Sequence, residues 1–229
     1  MFKDKGLIIG IVVTVILIGA GVLFMSNGSS GSSSTTSGSK VSENILIPKA
    51  DYETSGIENG NYLPATSSAK VTLVEFGDYE CPACGDYHPF VNQLLTDFAG
   101  KINFVFRNFP LSQHPNAQIS SQAAEAAGLQ GKFWQMNDKL YTSQNDWVRS
   151  TEPESVFVGY AQALGLDVTK FKTDISSSAV TSKVQSDLND GNLVNINETP
   201  TFYINGAIVQ NLPGTYKDFK SLVSTALNK

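Results

Sequence analysis

The chain contains two cysteines, Cys81 and Cys84, and only two residues separate them. Two cysteines placed at random in such a chain would fall this close about 1% of the time, so the spacing indicates shared chemistry. Thiol-disulfide exchange needs such a pair, because one thiolate attacks and a second thiol resolves the mixed disulfide. The alternatives are an inert disulfide or half of a zinc site, but zinc usually takes four ligands and the only histidines are His88 and His114. We therefore predict a redox-active dithiol and no metal site.

The cysteines lie where a predicted strand meets a predicted helix. Residues 71–76 are apolar except for Thr72 and Glu75, which is typical of a strand covered on both faces. After the cysteines, the residues expected on one helix face recur at steps of three and four: Cys84, His88, Val91, Leu95 and Phe98. Cys81 would then sit at the helix N-terminus, where unpaired backbone N–H groups and the helix dipole lower a thiol pKa. Cys84, one turn later, is expected to be more buried and to act as the resolving thiol.

Three neighbours of the cysteines are candidates for tuning them. Glu75 is an acid among apolar residues, and a buried acid has a raised pKa and could exchange a proton with Cys84. The alternative is an acid at the end of the strand that faces solvent; the apolar neighbours favour burial. Pro82 and Ala83, between the cysteines, are expected to tune the reduction potential. Ala83 brings neither charge nor hydrogen bond, so we expect an oxidant that is not an extreme one.

The rest of the chain alternates between strand and helix patterns. Residues 101–106 predict a second strand, which completes a β-α-β unit. A long helical stretch follows, with helices predicted over residues 117–129, 132–143, 154–164, 168–175 and 179–190. Asn205-Gly206 between two apolar runs predicts a β-hairpin, and Thr215 to Asp218 predicts the cap of a terminal helix. This order indicates an α/β fold with an inserted helical subdomain.

Beyond this order, several stretches resemble the DsbA-like branch of the thioredoxin superfamily. They are residues 71–76, Cys81-Pro82-Ala83-Cys84, His88-Pro89, residues 107–111, residues 131–134 and residues 199–202. The resemblance covers about residues 70–229 and implies a thioredoxin-like fold with the helical insertion at about 112–195. It also implies membrane-tethered thiol:disulfide oxidoreductase activity in the bacterial envelope.

The resemblance assigns roles to individual residues as well. It implies a cis peptide bond before Pro200 close to the cysteines, and a buried acid at Glu75. Thr199 would offer backbone groups to an extended substrate peptide. The alternative for Pro200 is a proline that opens an edge strand. Two residues depart from the family pattern: Glu198 stands where glycine is common, and Asn137 stands where histidine is common.

The N-terminal residues predict a membrane anchor. Residues 7–25 form an apolar run of 19 residues, which as a helix would span roughly 28 Å, close to the thickness of a bilayer's hydrocarbon core. The run lacks a small-residue cleavage site, so an uncleaved anchor is favoured over a cleaved signal. Lys3 and Lys5 precede it and no basic residue follows until Lys40, so the remainder is expected outside the cytoplasmic membrane. The predicted domains are residues 1–25, a Ser/Gly-rich linker and extension at 26–62, and a thioredoxin-like domain at 63–229.

Together these features predict an extracytoplasmic dithiol oxidase that acts on exported proteins without a cofactor. The resemblance implies a quinone-linked membrane partner that reoxidises the dithiol. The formal net charge of −5 argues against nucleic acid, because no basic excess is present to neutralise phosphates. Two alternatives stay open: a reductase or isomerase that uses the same chemistry in reverse, and a chaperone or binding module whose cysteines are incidental.

Overall fold

The computed structural model describes residue 46 and residues 52–229, and its strands form one mixed sheet. The strands are β1 (Glu53–Glu58), β2 (Asn61–Pro64), β3 (Val71–Gly77), β4 (Ile102–Asn108), β5 (Thr201–Ile204) and β6 (Ala207–Ile208). Their order across the sheet is β2-β1-β4-β3-β5-β6. Strands β3 and β4 are parallel, and the other neighbouring strands are antiparallel.

The helices of the described chain follow the predicted order. Helix α1 (Pro82–Asp97) connects β3 to β4, which gives the expected β-α-β unit. Between β4 and β5 lie α2 (Ala117–Gly128), α3 (Phe133–Thr142), α4 (Gln144–Trp147), α5 (Pro153–Ala163), α6 (Val168–Asp174) and α7 (Ser178–Leu193). Helix α8 (Tyr216–Leu227) follows β6, and the Thr215 hydroxyl accepts a hydrogen bond from the Asp218 N–H at its start. The α/β fold with a helical insertion is therefore confirmed.

Strand β3 is covered on both faces, as its apolar sequence predicts. On one face Leu73 joins the large core that also contains both cysteines. On the other face Val74 and Phe76 pack in a second, smaller cluster with Val105 of β4. Burial on both faces, together with pairing to β4 and β5, fixes the carboxyl end of β3, from which the chain leads to Cys81.

Strands β1 and β2 were not predicted, and both begin before residue 63, where the sequence analysis places the start of the domain. Strand β1 pairs with β4, which places Thr54 beside Phe104 in the sheet. Asn59 and Gly60, both with positive φ, form the turn between β1 and β2. The sequence Glu-Thr-Ser-Gly lacks alternating apolar residues, so the periodicity that reveals a strand is missing. The sheet therefore includes residues that the sequence had assigned to the extension.

Arg107 joins β4 to the helical insertion through a buried charge network. Its guanidinium is fully buried and donates from Nε to Asp187 Oδ1 at 2.8 Å and from Nη2 to Asp190 Oδ2 at 2.7 Å. Both acids belong to α7. Nη1 donates to the Leu46 carbonyl at 3.1 Å. Removing one partner of a buried pair leaves an uncompensated charge, so this network anchors α7 to the sheet.

The predicted membrane anchor at residues 7–25 lies outside the described residues. Residues 26–45 and 47–51 of the predicted linker and extension lie outside them as well. Within the part of the chain that the structure describes, no helix combines the length and apolarity needed to cross a bilayer.

Gly56 packs β1 against the helix that carries the cysteines, and Gly56→Ala should destabilise the protein. Gly56 has a φ of 141°, and a Cβ there would lie 2.5 Å from the Leu95 carbonyl oxygen and 2.6 Å from Ala99 Cα. Backbone strain and overpacking together should cost roughly 2 kcal/mol or more, measured by urea unfolding. Gly159→Ala, in open space on α5, is the matched control and should stabilise by roughly 0.5 kcal/mol. Equal stability of the two variants would contradict the close packing.

Candidate active site

Cys81 caps the N-terminus of α1, and Pro82 occupies the first turn. The Cys81 carbonyl accepts a hydrogen bond from the Gly85 N–H at 3.2 Å, which closes the first turn. Both cysteines are free thiols; Cys81 is 7% exposed and Cys84 is fully buried. Pro82 and Ala83 are exposed and form the rim beside Cys81. The predicted difference in burial between the two thiols is confirmed.

The Cys81 thiolate is strongly stabilised. The hydrogen bond from the Cys84 thiol is the largest cause and, despite the opposing effect of burial, the pKa of Cys81 falls to about 5. The Thr199 side chain and the backbone N–H groups of Cys84 and Ala83 act in the same direction. The helix N-terminus therefore contributes as expected, but the second cysteine contributes more. At neutral pH Cys81 is a thiolate, the reactive form in exchange.

Cys84 has the opposite character. Burial first, and then its hydrogen bond to Cys81 and the charges of Glu75 and Cys81, raise the pKa of Cys84 well above its ordinary value. The backbone N–H of Asp78 donates to Cys84 Sγ at 3.5 Å. Cys84 therefore stays protonated and its thiol donates to the Cys81 thiolate. The pair shares one proton, which resides on Cys84 because its pKa is the higher of the two.

Glu75 is buried behind the two cysteines. It is 3% exposed on β3 and pairs with Phe202 of β5 across the sheet, so the buried alternative is correct. Burial, and then the negative charge of Cys81, raise the pKa of Glu75 to about 8. A carboxyl group with that pKa exchanges protons near neutral pH, which is the property that a proton donor to Cys84 requires.

Thr199 and Pro200 face Cys81 from the start of β5. The peptide bond between them is cis, as the resemblance implied. Cys81 Sγ lies 3.3 Å from the Thr199 carbonyl oxygen, to which only the protonated thiol can donate, so this backbone lies directly beside the sulfur.

Asp78 is a site residue that the sequence analysis missed. Its fully buried carboxylate accepts from the Glu80 N–H at 2.8 Å and the Leu111 N–H at 3.0 Å, and Oδ2 lies 2.6 Å from His114 Nδ1. Asp78 therefore shapes the turn that presents Cys81. The available signal was an acid at the end of a buried strand, three residues before the first cysteine.

The helical insertion holds the same turn from the other side. Gln144 of α4 donates from Nε2 to the carbonyls of Tyr79 at 2.7 Å and Cys81 at 2.9 Å. Asn137, where the family often has histidine, donates to the Tyr79 hydroxyl at 3.0 Å. Nothing in the local sequence predicts these contacts, because they join positions about sixty residues apart.

The two histidines are engaged in separate places. His88 Nε2 lies 3.0 Å from Asp138 Oδ1 and its ring packs on Tyr141, whereas His114 pairs with Asp78. Across the described residues, no cluster of three or more histidine, cysteine, aspartate or glutamate side chains is arranged to hold a metal ion.

A strand-to-helix junction with a buried second thiol, a buried acid and a facing cis-proline defines a dithiol protein of thioredoxin type. The family model described as thioredoxin matches residues 65–225. The chain therefore belongs to the thioredoxin family, and this confirms the superfamily that the sequence resemblance implied.

Solved structures with the same fold include several redox proteins. A thioredoxin-like oxidoreductase from Silicibacter pomeroyi DSS-3 has a TM-score of 0.62 and 23% identity, covering 82% of this chain and 96% of its own. BdbD from Bacillus subtilis has a TM-score of 0.61 and 24% identity, covering 72% and 91%. The catalytic domain of ScsC from Proteus mirabilis has a TM-score of 0.64 and 17% identity, covering 81% and 94%. At these sequence identities the comparisons show that the folds are alike, and they show nothing further about this chain.

Curated relatives match at higher identity but are much longer proteins. The Na(+)/H(+) antiporter NhaA 1 of Salinispora arenicola is 42% identical over 139 residues, which are 60% of this chain and 20% of the antiporter. The antiporter NhaA of Herminiimonas arsenicoxydans is 35% identical over 172 residues, which are 75% and 25%. The chain thus spans about a fifth to a quarter of the length of these relatives.

Cys84→Ala should raise the pKa of Cys81, because the Cys84 thiol is the largest cause of its low value. A hydrogen bond to a charged group is worth enough to move a pKa by roughly 1 to 2 units. The ultraviolet absorbance of the thiolate, followed against pH, measures this change. Cys84→Ser is the matched control, since its hydroxyl keeps a donor and should shift the pKa less. An Ala variant that titrates like the wild type would show that the N–H groups suffice.

Glu75→Gln should stabilise the reduced protein by an amount that grows with pH. The pKa of Glu75 rises from 4.5 unfolded to about 8 folded. Between these values the unfolded chain releases its proton first, so wild-type stability falls as pH rises, by roughly 3 kcal/mol at pH 7. Urea unfolding at a series of pH values checks the slope, since any fixed cost of the amide does not vary with pH. Glu58→Gln, at the exposed end of β1, is the control for loss of a carboxylate. Parallel curves for Glu75→Gln and wild type would rule out the raised pKa.

Proposed function

We propose that this protein is an extracytoplasmic thiol:disulfide oxidoreductase that oxidises pairs of cysteines in exported proteins. The observation that carries the proposal is the stabilised Cys81 thiolate, with a pKa of about 5. A stabilised thiolate favours the reduced form of the dithiol, and this makes the corresponding disulfide a stronger oxidant. The low pKa therefore supports oxidation of clients over their reduction.

The reaction starts from the Cys81–Cys84 disulfide. A substrate thiolate attacks Cys81 Sγ, the bond between the two enzyme sulfurs breaks, and its electron pair leaves on Cys84. Cys84 takes up a proton, because its pKa is well above the ordinary value. Glu75 is the proposed donor of that proton, since it is buried nearby with a pKa of about 8.

The second half of the reaction releases the client. A second substrate thiolate attacks the substrate sulfur of the mixed disulfide and expels Cys81 as a thiolate. The client has then lost two electrons and two thiol protons. One proton replaces the one that Glu75 gave to Cys84, and the other is released to solution. Because the Cys81 thiolate is stabilised, Cys81 is a good leaving group.

Client peptides are proposed to bind along the start of β5. Thr199 and Pro200 lie directly beside Cys81, where an extended peptide could pair with backbone groups. Pro82 and Ala83 are exposed on the other side of the thiol and would border the same peptide. An extended, backbone-directed contact suits an enzyme that meets unfolded chains of varied sequence.

The proposed location and partner rest on the sequence. The apolar run at residues 7–25 and the lysines before it favour an anchored protein with an extracytoplasmic catalytic domain. A quinone-linked membrane protein is the proposed reoxidant. The antiporter activity named for the curated relatives is not carried to this chain, because the match covers a fifth to a quarter of those proteins.

Two measurements test the direction of electron flow and the need for the thiol. Equilibration with glutathione should give a reduction potential clearly more positive than the value of about −270 mV typical of thioredoxin. Cys81→Ser should abolish oxidation of a reduced, unfolded client. Cys84→Ser cannot form the intramolecular disulfide and should not oxidise that client either. When it is given a client disulfide, its Cys81 thiolate should attack one client sulfur, expel the other as a thiolate and accumulate the mixed disulfide, because the resolving thiol is gone.

The same measurements separate the alternatives. A potential at or below that of thioredoxin would indicate a reductase. An isomerase is recognised instead by its activity on a client with wrongly paired disulfides, since the potential of protein disulfide isomerase, about −180 mV, is also above that of thioredoxin. One fold neighbour is a protein-disulfide isomerase from Novosphingobium aromaticivorans, at 20% identity and a TM-score of 0.61. Suppression of client aggregation that persists unchanged in Cys81→Ser, without any exchange in the wild type, would indicate a chaperone. Thermal unfolding of each variant shows that its fold is intact.

A further inference from the structure

His114 lies beside the dithiol but has no part in the exchange steps above. It belongs to the segment between β4 and α2, and its side chain is 21% exposed. Nδ1 lies 2.6 Å from the carboxylate of Asp78, which is fully buried. The imidazole is therefore bound to a buried carboxylate and remains partly exposed to solvent.

Asp78 connects His114 to both cysteines. Its backbone carbonyl accepts from the Cys81 N–H at 3.1 Å, and its backbone N–H donates to Cys84 Sγ at 3.5 Å. The oxygen that faces His114 also accepts from the Leu111 N–H at 3.0 Å. A change in the bond between His114 and Asp78 is thus transmitted to the backbone that contacts Cys84 Sγ and the Cys81 N–H.

We propose that His114 is a positioning residue whose protonation state tunes the dithiol, through its bond to Asp78 and through its charge near Cys81. The inference rests on the thiol-disulfide exchange proposed above and adds regulation by pH to that site. His114 transfers no proton to the client and touches no reacting atom in this arrangement. It sets how strongly the reduced form is favoured.

The groups that face His114 are acidic. Burial alone would lower the pKa of His114, but the hydrogen bond and charge of Asp78, together with the charges of Cys81 and Glu80, raise it above its ordinary value. Glu80 is itself held in place, because its Oε2 accepts from the Asn116 N–H at 2.5 Å. All three acidic groups act to keep the imidazole protonated.

The sign of the effect follows from the charges. Below its pKa, His114 is an imidazolium that attracts the Cys81 thiolate and makes a charge-assisted bond to Asp78. As pH rises through that raised pKa, the positive charge is lost and the thiolate faces Asp78 and Glu80 without it. The folded protein then loses the stability that the protonated imidazole supplied, which is fully present below the unfolded pKa of about 6.5.

Oxidation removes the charge on Cys81, so the pKa of His114 should be lower in the disulfide form than in the dithiol form. Reduction then takes up an additional fraction of a proton between these two values. The reduction potential should therefore fall more steeply with pH in that window than the thiols alone would require. This is a signature that a purely structural histidine would not give.

His114→Asn is the informative variant, because its side-chain amide keeps a donor at the position of Nδ1 but carries no charge. We expect its thiolate fraction at a pH below the Cys81 pKa to be roughly threefold to tenfold lower than in the wild type. The additional slope in the potential should vanish. His88→Asn is the matched control: that histidine pairs with Asp138 and should leave both properties unchanged.

The thiolate titration and the pH dependence of the reduction potential test the role of His114 without a client protein. A His114→Asn protein with wild-type thiolate titration and wild-type slope of the potential would overturn it, even if exchange is active. Failure of the wild type to oxidise clients would instead refute the proposed function, since thiolate absorbance needs no client. Nuclear magnetic resonance of the wild-type imidazole in both redox states provides a second test without a variant. Equal His114 pKa values in the two states would also overturn the proposal.

Discussion

The negative charge on Cys81 Sγ is stabilised chiefly by short-range hydrogen-bond donors, the first of which is the thiol of Cys84. Such donors act only over hydrogen-bond distances, so the thiolate depends on exact placement of its neighbours. Those neighbours come from distant parts of the chain: the start of α1, and the loop at Thr199 before β5. The sheet and the insertion can be understood as the frame that keeps these parts together.

That frame acts on one short turn, from Asp78 to Cys81. The turn follows β3, which is buried on both faces. Within the turn, the Asp78 carboxylate accepts a hydrogen bond from the Glu80 N–H, and it also accepts one from the Leu111 N–H after β4. Gln144 holds it from the insertion through the carbonyls of Tyr79 and Cys81. The buried network of Arg107 with Asp187 and Asp190 keeps the insertion on the sheet. A helical subdomain far away in sequence is thereby part of the support for the nucleophile.

The sequence predicted the parts of this arrangement that repeat locally. Apolar continuity predicted β3, helical spacing predicted α1, and the Asn205-Gly206 pair predicted the hairpin. The short motif was sufficient to place Cys81 and Cys84, and the apolar neighbours of Glu75 were sufficient to predict its burial. Each of these predictions depends on residues that are close in sequence, because helices and strands repeat their buried positions at fixed intervals.

What the sequence did not predict depends on contacts between distant positions or on backbone conformation. Strand β1 has Thr54, Ser55 and Gly56 where alternating apolar residues would be expected, and only its pairing with β4 makes it a strand. Asp78 lies more than thirty positions before Leu111 and His114, the two residues that it contacts across the fold. Hydrogen bonds of this kind leave no periodic trace in composition, so they appear only once the fold is known.

Strands β1 and β2 also determine which backbone groups the sheet leaves unpaired. Without them, β4 would form one edge of the sheet with seven residues. With them, that edge is β2, which has four residues, and the opposite edge is β6, which has two. Short edge strands offer little template for unwanted pairing with another extended chain. A protein that handles unfolded clients would otherwise be liable to bind them along its sheet. If clients pair with the stretch at Thr199, as proposed, the short edges of the described sheet leave little other backbone for them to pair with.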